Sequence, residues 1–223
     1  MIQPQPLWPA GPSSPLLRPG EVHVWRVPLG GGAQLAQCRS VLAHEERLRA
    51  TRFVFEKDTE RYVTAHGALR LILSRYLPGS PREMQFALGE HGKPRLALPF
   101  GDVRFNLSHS GEMILIAVSC GREVGVDIEH MNEDIQFEEI ARHCFDPRDA
   151  WTLRTAPEPQ RVTLFFDLWT QMEARLKADG AGISGEMRDA RWHARSLSPA
   201  RGYAGAVASE GHDWQLACWE WQL

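Results

Sequence analysis

Hydrophobic and polar side chains alternate along several short segments of the chain, which is the pattern of half-buried β-strands. The clearest of these segments, Glu21–Pro28 (EVHVWRVP), ends just before three consecutive glycines. Further strands are predicted at 84–88, 103–107, 113–119 and 122–129, and around 192–197, 203–208 and 214–221.

Between these segments, apolar residues recur at steps of three and four, as they do along one face of an α-helix. The long stretch 35–77 has this period, and the acidic segment 134–149 shares it. A strong amphipathic helix is predicted over 161–178, after a loop at 155–160. Because helices and strands mix without the regular alternation of a doubly wound sheet, the predicted fold class is α+β. The apolar stripe of the 161–178 helix comprises Phe165, Leu168, Trp169, Met172 and Leu176.

The chain is predicted to divide into an extended, proline-rich arm at residues 1–20 and two α+β halves, 21–110 and 111–223. Residues 1–110 carry 14 basic and 9 acidic side chains, whereas residues 111–223 carry 11 and 19. A basic half beside an acidic half suits a site for an anionic ligand, a metal ion or both. The same difference is also expected of two surfaces that merely carry different charge.

Composition argues against several classes of protein. The net charge of −3 disfavours a dedicated nucleic-acid binder, which usually has a clear basic excess. The longest apolar stretch, Met113–Val118, is far shorter than a membrane-spanning helix, and no window resembles a signal peptide. The four cysteines, Cys38, Cys120, Cys144 and Cys218, are scattered and form no CxxC pattern. We therefore expect free thiols in a cytoplasmic protein that binds neither nucleic acid nor membrane.

The first candidate site lies in the segment 124–130 (VGVDIEH). On a strand, Asp127 and Glu129 share one face, about 7 Å apart, while the valines and the isoleucine between them face the core. Two such carboxylates can share a divalent cation, and magnesium prefers sparse carboxylate ligation that leaves it several waters. A DxE pattern also occurs on exposed strands whose acids are simply solvated.

The second candidate lies in the segment 169–180 (WTQMEARLKADG), on the predicted amphipathic helix. Glu173 and Lys177 are four residues apart, so they are neighbours at the edge of the apolar stripe. A helix can present a functional pair there beside a packed core. The alternative is an ordinary i,i+4 salt bridge, worth about 0.3–0.5 kcal/mol.

Two polar turns complete the candidate chemistry. The segment 105–112 (FNLSHSGE) places Ser108 and His109 where a strand enters a turn, and hydroxyl, imidazole and turn amide groups are suitable donors to a phosphate. It is not a GxSxG nucleophile elbow, and a lone histidine in a turn is often structural. In the segment 90–96 (EHGKPRL), Lys93 and Pro94 follow a glycine in a tight turn that presents an ammonium group.

In order and spacing, GKP, FNLSHS, GVDIE and WTQMEARLKADG closely resemble the motifs of the 4'-phosphopantetheinyl transferase superfamily. The chain length and the paired motifs are similar to its surfactin-synthetase-activating, monomeric type rather than to the short trimeric synthases. The similarity spans residues 48–184. It includes an upstream helix motif formed by Arg52-Phe53, Asp58, Arg61-Tyr62, Gly67 and Arg70.

The resemblance implies a pseudo-dimer of two similar halves, each a helix on an antiparallel sheet, with coenzyme A in the cleft between them. Such enzymes transfer the 4'-phosphopantetheine arm of coenzyme A to a serine of an apo acyl or peptidyl carrier protein. They release adenosine 3',5'-bisphosphate. The basic half would then receive the phosphates, and the acidic half would supply the metal ligands.

The resemblance also implies roles for single residues. Asp127, Glu129 and Glu173 would hold Mg²⁺, and Glu173 would accept the proton of the carrier serine, directly or through water. Lys177 would contact the pyrophosphate. The remaining coenzyme A contacts would come from Ser108 and His109 at the 3'-phosphate, from Lys93 and Pro94 along the nucleotide, and from Arg49, Arg52 and Arg61 as further phosphate ligands.

One position departs from the family pattern. The family usually has lysine immediately before the helix glutamate, whereas this chain has Met172, and Arg175 faces elsewhere on a regular helix. A second class of function is therefore open: a degenerate homologue that binds coenzyme A or a carrier protein with little transfer. A magnesium-dependent phosphohydrolase would explain DxE but not GKP and SHS in this order.

Overall fold

The structure, a computed structural model, describes residues 7–89, 92–97, 102–132, 134–180 and 191–223. Within these residues, no helix combines the length and the apolar character needed to span a membrane. The α-helices are α1 (Gly32–Ser40), α2 (His44–Ala50), α3 (Glu56–Leu73), α4 (Phe137–Cys144), α5 (Pro147–Thr155) and α6 (Glu158–Asp179). The strands are β1 (Glu21–Pro28), β2 (Phe86–Leu88), β3 (Pro94–Leu96), β4 (Val103–Ser110), β5 (Met113–Cys120), β6 (Val124–His130), β7 (Trp192–Leu197), β8 (Tyr203–Glu210) and β9 (Gln215–Glu220).

The strands form two main sheets and one small hairpin. The first sheet has the order β4-β5-β1-β9, the second has the order β6-β8-β7, and β2 pairs with β3 alone. These pairings are antiparallel apart from β1 with β9, which is parallel. The prediction of an α+β fold with two helix-plus-sheet halves is confirmed. The expectation that both sheets are antiparallel is wrong for the first one, because β9 returns to the free side of β1.

The two sheets stack on each other, and helices cover their outer faces. Trp25 and Ile116 of the first sheet pack with Leu69 and Ile72 of α3 in one core cluster. The next residue on β1, Val24, points to the opposite face and joins a second cluster that includes Val126 and Ile128 of β6. This explains why β5 (MILIAVSC) reads as a continuous apolar run, since both of its faces are buried.

The predicted division at residue 110 does not follow the sheets. It falls at the tight turn between β4 and β5, where Gly111 adopts a positive φ of 54°. Both β5 and β9, which that division assigns to the C-terminal half, hydrogen bond into the first sheet. Residues 7–20 of the expected proline-rich arm contain no helix, and Ala10 forms a single bridge to Glu220.

Several predicted helices differ from the observed ones at their ends. The stretch 35–77 is interrupted twice and contains α1, α2 and α3. The segment 134–149 is divided because Asp146 accepts hydrogen bonds from the N–H groups of Arg148 and Asp149, which starts α5. Most of the loop predicted at 155–160 is helical, because a proline in the first turn of α6 removes no intrahelical hydrogen bond.

The backbone of β6 lies directly against α6 at Gly125. A Cβ atom at this position would lie 2.0 Å from the carbonyl oxygen of Ala174 and 2.3 Å from the amide nitrogen of Ala178. Ala174 and Ala178, one turn apart, belong to a core cluster with alanines of β8. The glycine of the DxE segment and the small side chains of α6 thus allow strand and helix to approach closely enough to share a site.

We expect Gly125→Ala to destabilise the protein, because the added methyl group meets helix backbone rather than a flexible side chain. Overpacking of this kind costs about 1–3 kcal/mol. Gly32→Ala is the matched control, since its new Cβ meets nothing within 4 Å and alanine favours helix α1. Urea unfolding of both variants would measure the difference, and equal stability would contradict the close approach.

Candidate active site

Three carboxylates face one another between β6 and α6. Gly125 faces α6, so Asp127 and Glu129, at alternate positions on the same strand, point to that side as well. Glu173 on α6 meets them from the helix. It lies on the buried side of α6 with Thr170 and Ala174. The structure thus places these three acids on the facing sides of β6 and α6, and their shared role at a metal ion stays a prediction.

Asp127 is the most enclosed of the three, with only 3% of its surface exposed. One of its oxygens, Oδ1, accepts a hydrogen bond from the Ser108 hydroxyl at 2.9 Å and from the Lys177 ammonium at 2.6 Å. The same ammonium donates to the Ser108 hydroxyl oxygen at 3.0 Å. Asp127 is therefore held between β4 of the first sheet and α6.

Burial and mutual repulsion disfavour the charged forms of these acids. Burial raises the pKa of Asp127, and Lys177 and Ser108 only partly oppose it. Burial also raises the pKa of Glu129, where the Asp127 charge acts in the same direction and the Ser110 hydrogen bond opposes it. The pKa of Glu173 is raised by burial and then by Asp127 and Glu129. A cation placed among the three groups would remove this cost.

Two oxygen atoms of this group have no hydrogen-bond partner although they are buried, namely Oδ2 of Asp127 and Oε1 of Glu173. Buried oxygens of this kind usually have a partner, so an unpartnered pair suits a ligand that the protein must bind. In the part of the chain that the structure describes, no three histidine, cysteine, aspartate or glutamate side chains form a group that could hold a metal ion as they stand. The donor set is nevertheless the hard, oxygen-only kind that magnesium prefers.

The two residues predicted at the 3'-phosphate lie on opposite faces of β4. Ser108 is buried and faces Asp127 and Lys177. His109 is exposed on the other face, where burial of part of its ring and the charge of Arg61 lower its pKa. Their shared role therefore stays a prediction, since Ser108 lies beside the Lys177 ammonium and His109 lies beside Arg61.

The ammonium group of Lys93 already has partners. It donates to Glu123 Oε2 at 2.7 Å and to the carbonyl oxygen of Ala178 at 2.9 Å, near the last turn of α6. Burial lowers the pKa of Lys93, and Glu123 opposes that shift. In this structure Lys93 connects the turn before β3 to β6 and α6, and its predicted contact with the nucleotide stays untested.

A cavity of ≈ 930 Å³ lies beside β4, and its lining includes Arg49, Tyr62, Pro94 and Asn106. Arg49 is exposed, with its guanidinium 5.7 Å from the centroid of the Tyr62 ring. The lining residues all lie between 43 and 107, so a ligand cleft between the halves stays a prediction.

Arg52 and Arg61, the other predicted phosphate ligands, lie outside the lining of that cavity. Arg52 is exposed just after α2, and Arg61 is half-buried on α3. The Nη1 atom of Arg61 donates to Asp58 at 3.4 Å, while its buried Nε has no partner. Arg61 therefore keeps unused donor capacity next to His109.

Two polar residues near the carboxylates were not predicted. Asn106 accepts a hydrogen bond from the Val126 N–H at 2.9 Å, and the Ser110 hydroxyl donates to Glu129 Oε2 at 2.9 Å. With Ser108 they occupy every second position of β4, so they share a face. That alternation of polar residues along one face of β4 is the signal that would have identified them.

Met172 is half-buried and precedes Glu173 on α6. The expectation that it extends the apolar stripe is only partly met. Phe165 of that stripe packs in one cluster with Phe166 and with Ala204 of β8. Ala174 and Ala178, which are not part of the stripe, pack with other alanines of β8.

Two family models match the chain. One, described as the 4'-phosphopantetheinyl transferase superfamily, matches residues 123–221, and the other, described as the N-terminal part of 4'-phosphopantetheinyl transferase, matches residues 31–121. Their junction lies between β5 and β6. The match over residues 31–121 therefore ends with the hairpin of β4 and β5, which the predicted division at residue 110 would separate.

Three relatives carry the same family name. The chain is 34% identical to 4'-phosphopantetheinyl transferase HetI of Nostoc sp., over 97% of this chain and 99% of that protein. It is 30% identical to 4'-phosphopantetheinyl transferase Sfp of Bacillus subtilis strain 168, over 65% of this chain and 63% of that protein. It is 32% identical to 4'-phosphopantetheinyl transferase gsp of Aneurinibacillus migulanus, over 65% of this chain and 58% of that protein. With near-complete coverage in the first comparison, the chain belongs to the 4'-phosphopantetheinyl transferase superfamily, in its two-half type.

Proposed function

We propose that this protein transfers the 4'-phosphopantetheine arm of coenzyme A to a serine of an apo acyl or peptidyl carrier protein and releases adenosine 3',5'-bisphosphate. The observation that carries the proposal is the group of Asp127, Glu129 and Glu173 with Lys177 at its edge. Relatives that are named 4'-phosphopantetheinyl transferases and that align with 97% and 65% of this chain support it.

The three carboxylates are proposed to hold Mg²⁺, chiefly through the unpartnered oxygens of Asp127 and Glu173. When bound, the ion would neutralise charge on the pyrophosphate of coenzyme A and polarise the phosphorus that is attacked. Lys177 now lies on Asp127 Oδ1 at 2.6 Å. Its ammonium would be free to contact a pyrophosphate oxygen once a metal ion shares the negative charge of Asp127.

The transfer is attack by the carrier serine oxygen on the β-phosphorus of coenzyme A. A new P–O bond forms, and the bond to adenosine 3',5'-bisphosphate breaks. Glu173 is proposed to accept the serine proton, directly or through water, because burial and the neighbouring acids raise the pKa of its carboxyl group. Positioning and charge neutralisation supply most of the catalysis in such a reaction.

The nucleotide is proposed to lie on the first half, along the cavity that Arg49 and Pro94 line. Arg52, Arg61 and His109 would then contact its phosphates, and Ser108 would link that half to the metal site. We further propose that the protein acts in the cytoplasm, because its four cysteines are free thiols, which suits a reducing compartment. The monomeric state is proposed from the family resemblance alone.

The proposal is tested by mass spectrometry of apo carrier proteins incubated with the protein, coenzyme A and magnesium. Transfer would add the phosphopantetheine mass to the carrier, and omission of magnesium would prevent it. The degenerate homologue would bind coenzyme A and leave every carrier unchanged. No feature of the described residues favours that second function over transfer.

The 3'-phosphate contact gives a separate prediction. We expect coenzyme A to bind about 10- to 100-fold more tightly than 3'-dephospho-coenzyme A, because a charge-assisted contact is worth about 1.5–3 kcal/mol. His109→Ala should narrow this difference, whereas His143→Ala, which changes an exposed histidine of α4, should preserve it. Calorimetric titration of both ligands would measure it, and equal affinities in the unchanged protein would refute the assignment.

A further inference from the structure

An edge strand of each main sheet lies at the candidate active site. β4 is the edge strand of the first sheet and β6 is the edge strand of the second. An edge strand carries a row of N–H and C=O groups that need partners. In the described residues, β4 pairs with β5 and β6 pairs with β8, so the groups on the facing edge of β6 must find other partners.

Side chains of β4 supply those partners. The Val126 N–H donates to Asn106 Oδ1 at 2.9 Å, and the His130 N–H donates to Ser110 Oγ at 3.0 Å. Val126 and His130 are four residues apart on β6, as Asn106 and Ser110 are on β4. The two strands are thus joined by a ladder of hydrogen bonds, in which the Asn106 and Ser110 side chains of β4 take the place of backbone acceptors for the N–H groups of β6.

The Ser110 hydroxyl has a second role in this ladder. While it accepts from the His130 N–H, it donates its only proton to Glu129 Oε2 at 2.9 Å. One hydroxyl therefore fixes a carboxylate relative to the backbone of its own strand. At the other end, Asn106 holds the amide of Val126, the residue that precedes Asp127.

We propose that Asn106 and Ser110 are positioning residues that fix β6 against β4 and so hold Glu129 and Asp127 in the orientation that binds the divalent ion. This inference rests on the proposed function, since it concerns the same metal site. Neither side chain needs to touch coenzyme A. Their effect should therefore appear in metal affinity before it appears in coenzyme A affinity.

A purely structural role is the alternative, and a matched serine separates the two. Ser209 on β8 is fully buried, and its hydroxyl donates to the carbonyl oxygen of Glu123, just before β6, at 2.8 Å. Ser209→Ala removes a hydrogen bond to the same segment without touching a carboxylate. Ser110→Thr keeps the hydroxyl and serves as the conservative variant.

The experiment measures Mn²⁺ binding by electron paramagnetic resonance, with coenzyme A present, together with the melting temperature. We expect Ser110→Ala to weaken Mn²⁺ binding at least 10-fold, as loss of an outer-shell partner of a metal ligand does. Asn106→Ala should weaken it in the same direction. Ser209→Ala should leave Mn²⁺ affinity within two-fold even if it lowers the melting temperature more, and Ser110→Thr should retain most of the affinity.

Equal Mn²⁺ affinity in Ser110→Ala, Asn106→Ala and the unchanged protein would overturn the inference and leave the proposed transfer intact. Weakening by Ser209→Ala to the same extent would also overturn it, because metal affinity would then follow stability alone. If the unchanged protein with coenzyme A bound no Mn²⁺ and modified no carrier, the proposed function and this inference would both fall.

Discussion

Glu173→Gln is expected to abolish phosphopantetheine transfer while leaving the protein folded. The amide cannot accept the serine proton, and it is a weaker ligand for a divalent ion than a carboxylate. Loss of a general base alone costs about 10²- to 10⁴-fold in rate, and loss of a metal ligand adds to that. Asp127→Asn should be similarly inactive, because it removes the charge that pairs with Lys177 and that the proposed metal ion would require.

The burial of these acids determines how much each substitution should change the stability of the folded protein. Both Asp127 and Glu173 are more than 90% buried, whereas the DxE pattern alone would allow Asp127 to lie on an exposed face. The surroundings of Glu173 raise the pKa of its carboxyl group, which means that they disfavour its charged form. We therefore expect Glu173→Gln to change the free energy of unfolding by less than about 1 kcal/mol, in either direction. Asp127→Asn should cost more, because it weakens the ion pair with Lys177.

Transfer rates measured by mass spectrometry, with unfolding followed in urea, would test both variants. Glu158→Gln is the control, since it changes an exposed glutamate at the start of the same helix. Normal turnover by Glu173→Gln would exclude Glu173 as the base. An inactive but strongly destabilised Glu173→Gln would show that the residue supports the fold instead.

Much of the fold could be predicted because local patterns determine it. β1 is found at the predicted residues, and β4, β5 and β6 lie within about three residues of their predicted bounds. The parallel addition of β9 beside β1 could not be predicted in the same way, since the pairing joins residues about 190 apart and no local period encodes it. The division of the sheets depends on this long-range pairing.

The charged residues of the candidate site could be predicted from the sequence, but the polar side chains that hold them in place could not. Spacing on a strand and a helix made Asp127, Glu129, Glu173 and Lys177 candidates, and the family resemblance assigned them to one site. In the structure they lie near one another. The position of Ser108 among the carboxylates, and the ladder formed by Asn106 and Ser110, depend on which sheet edges meet. Such contacts follow from the packing of two sheets, which a single sequence does not specify.

Met172→Lys is expected to raise the transfer rate. Methionine can neither neutralise charge nor donate a hydrogen bond, whereas lysine next to Glu173 would place an ammonium near the migrating phosphate. One cationic contact to a transition-state phosphate is worth about 2–4 kcal/mol, or tens- to hundreds-fold in rate. Because Lys177 remains and magnesium is proposed to bind beside it, the unchanged protein should be slow rather than inactive.

The position of Met172 makes this test practicable. Met172 is half-buried and lies two residues before Ala174, so on a helix it faces away from Ala174 and Ala178, the small residues that meet the second sheet. A lysine there can lay its aliphatic stem along apolar surface and keep its ammonium in the site, so folding should survive.

Met172→Leu is the control, since it keeps an apolar side chain of similar volume. Transfer rate and melting temperature should be measured together for both variants. A rate unchanged in Met172→Lys, with a strongly lowered melting temperature, would show that Met172 serves the core and that the phosphate charge is neutralised by another residue, such as an arginine of the first half.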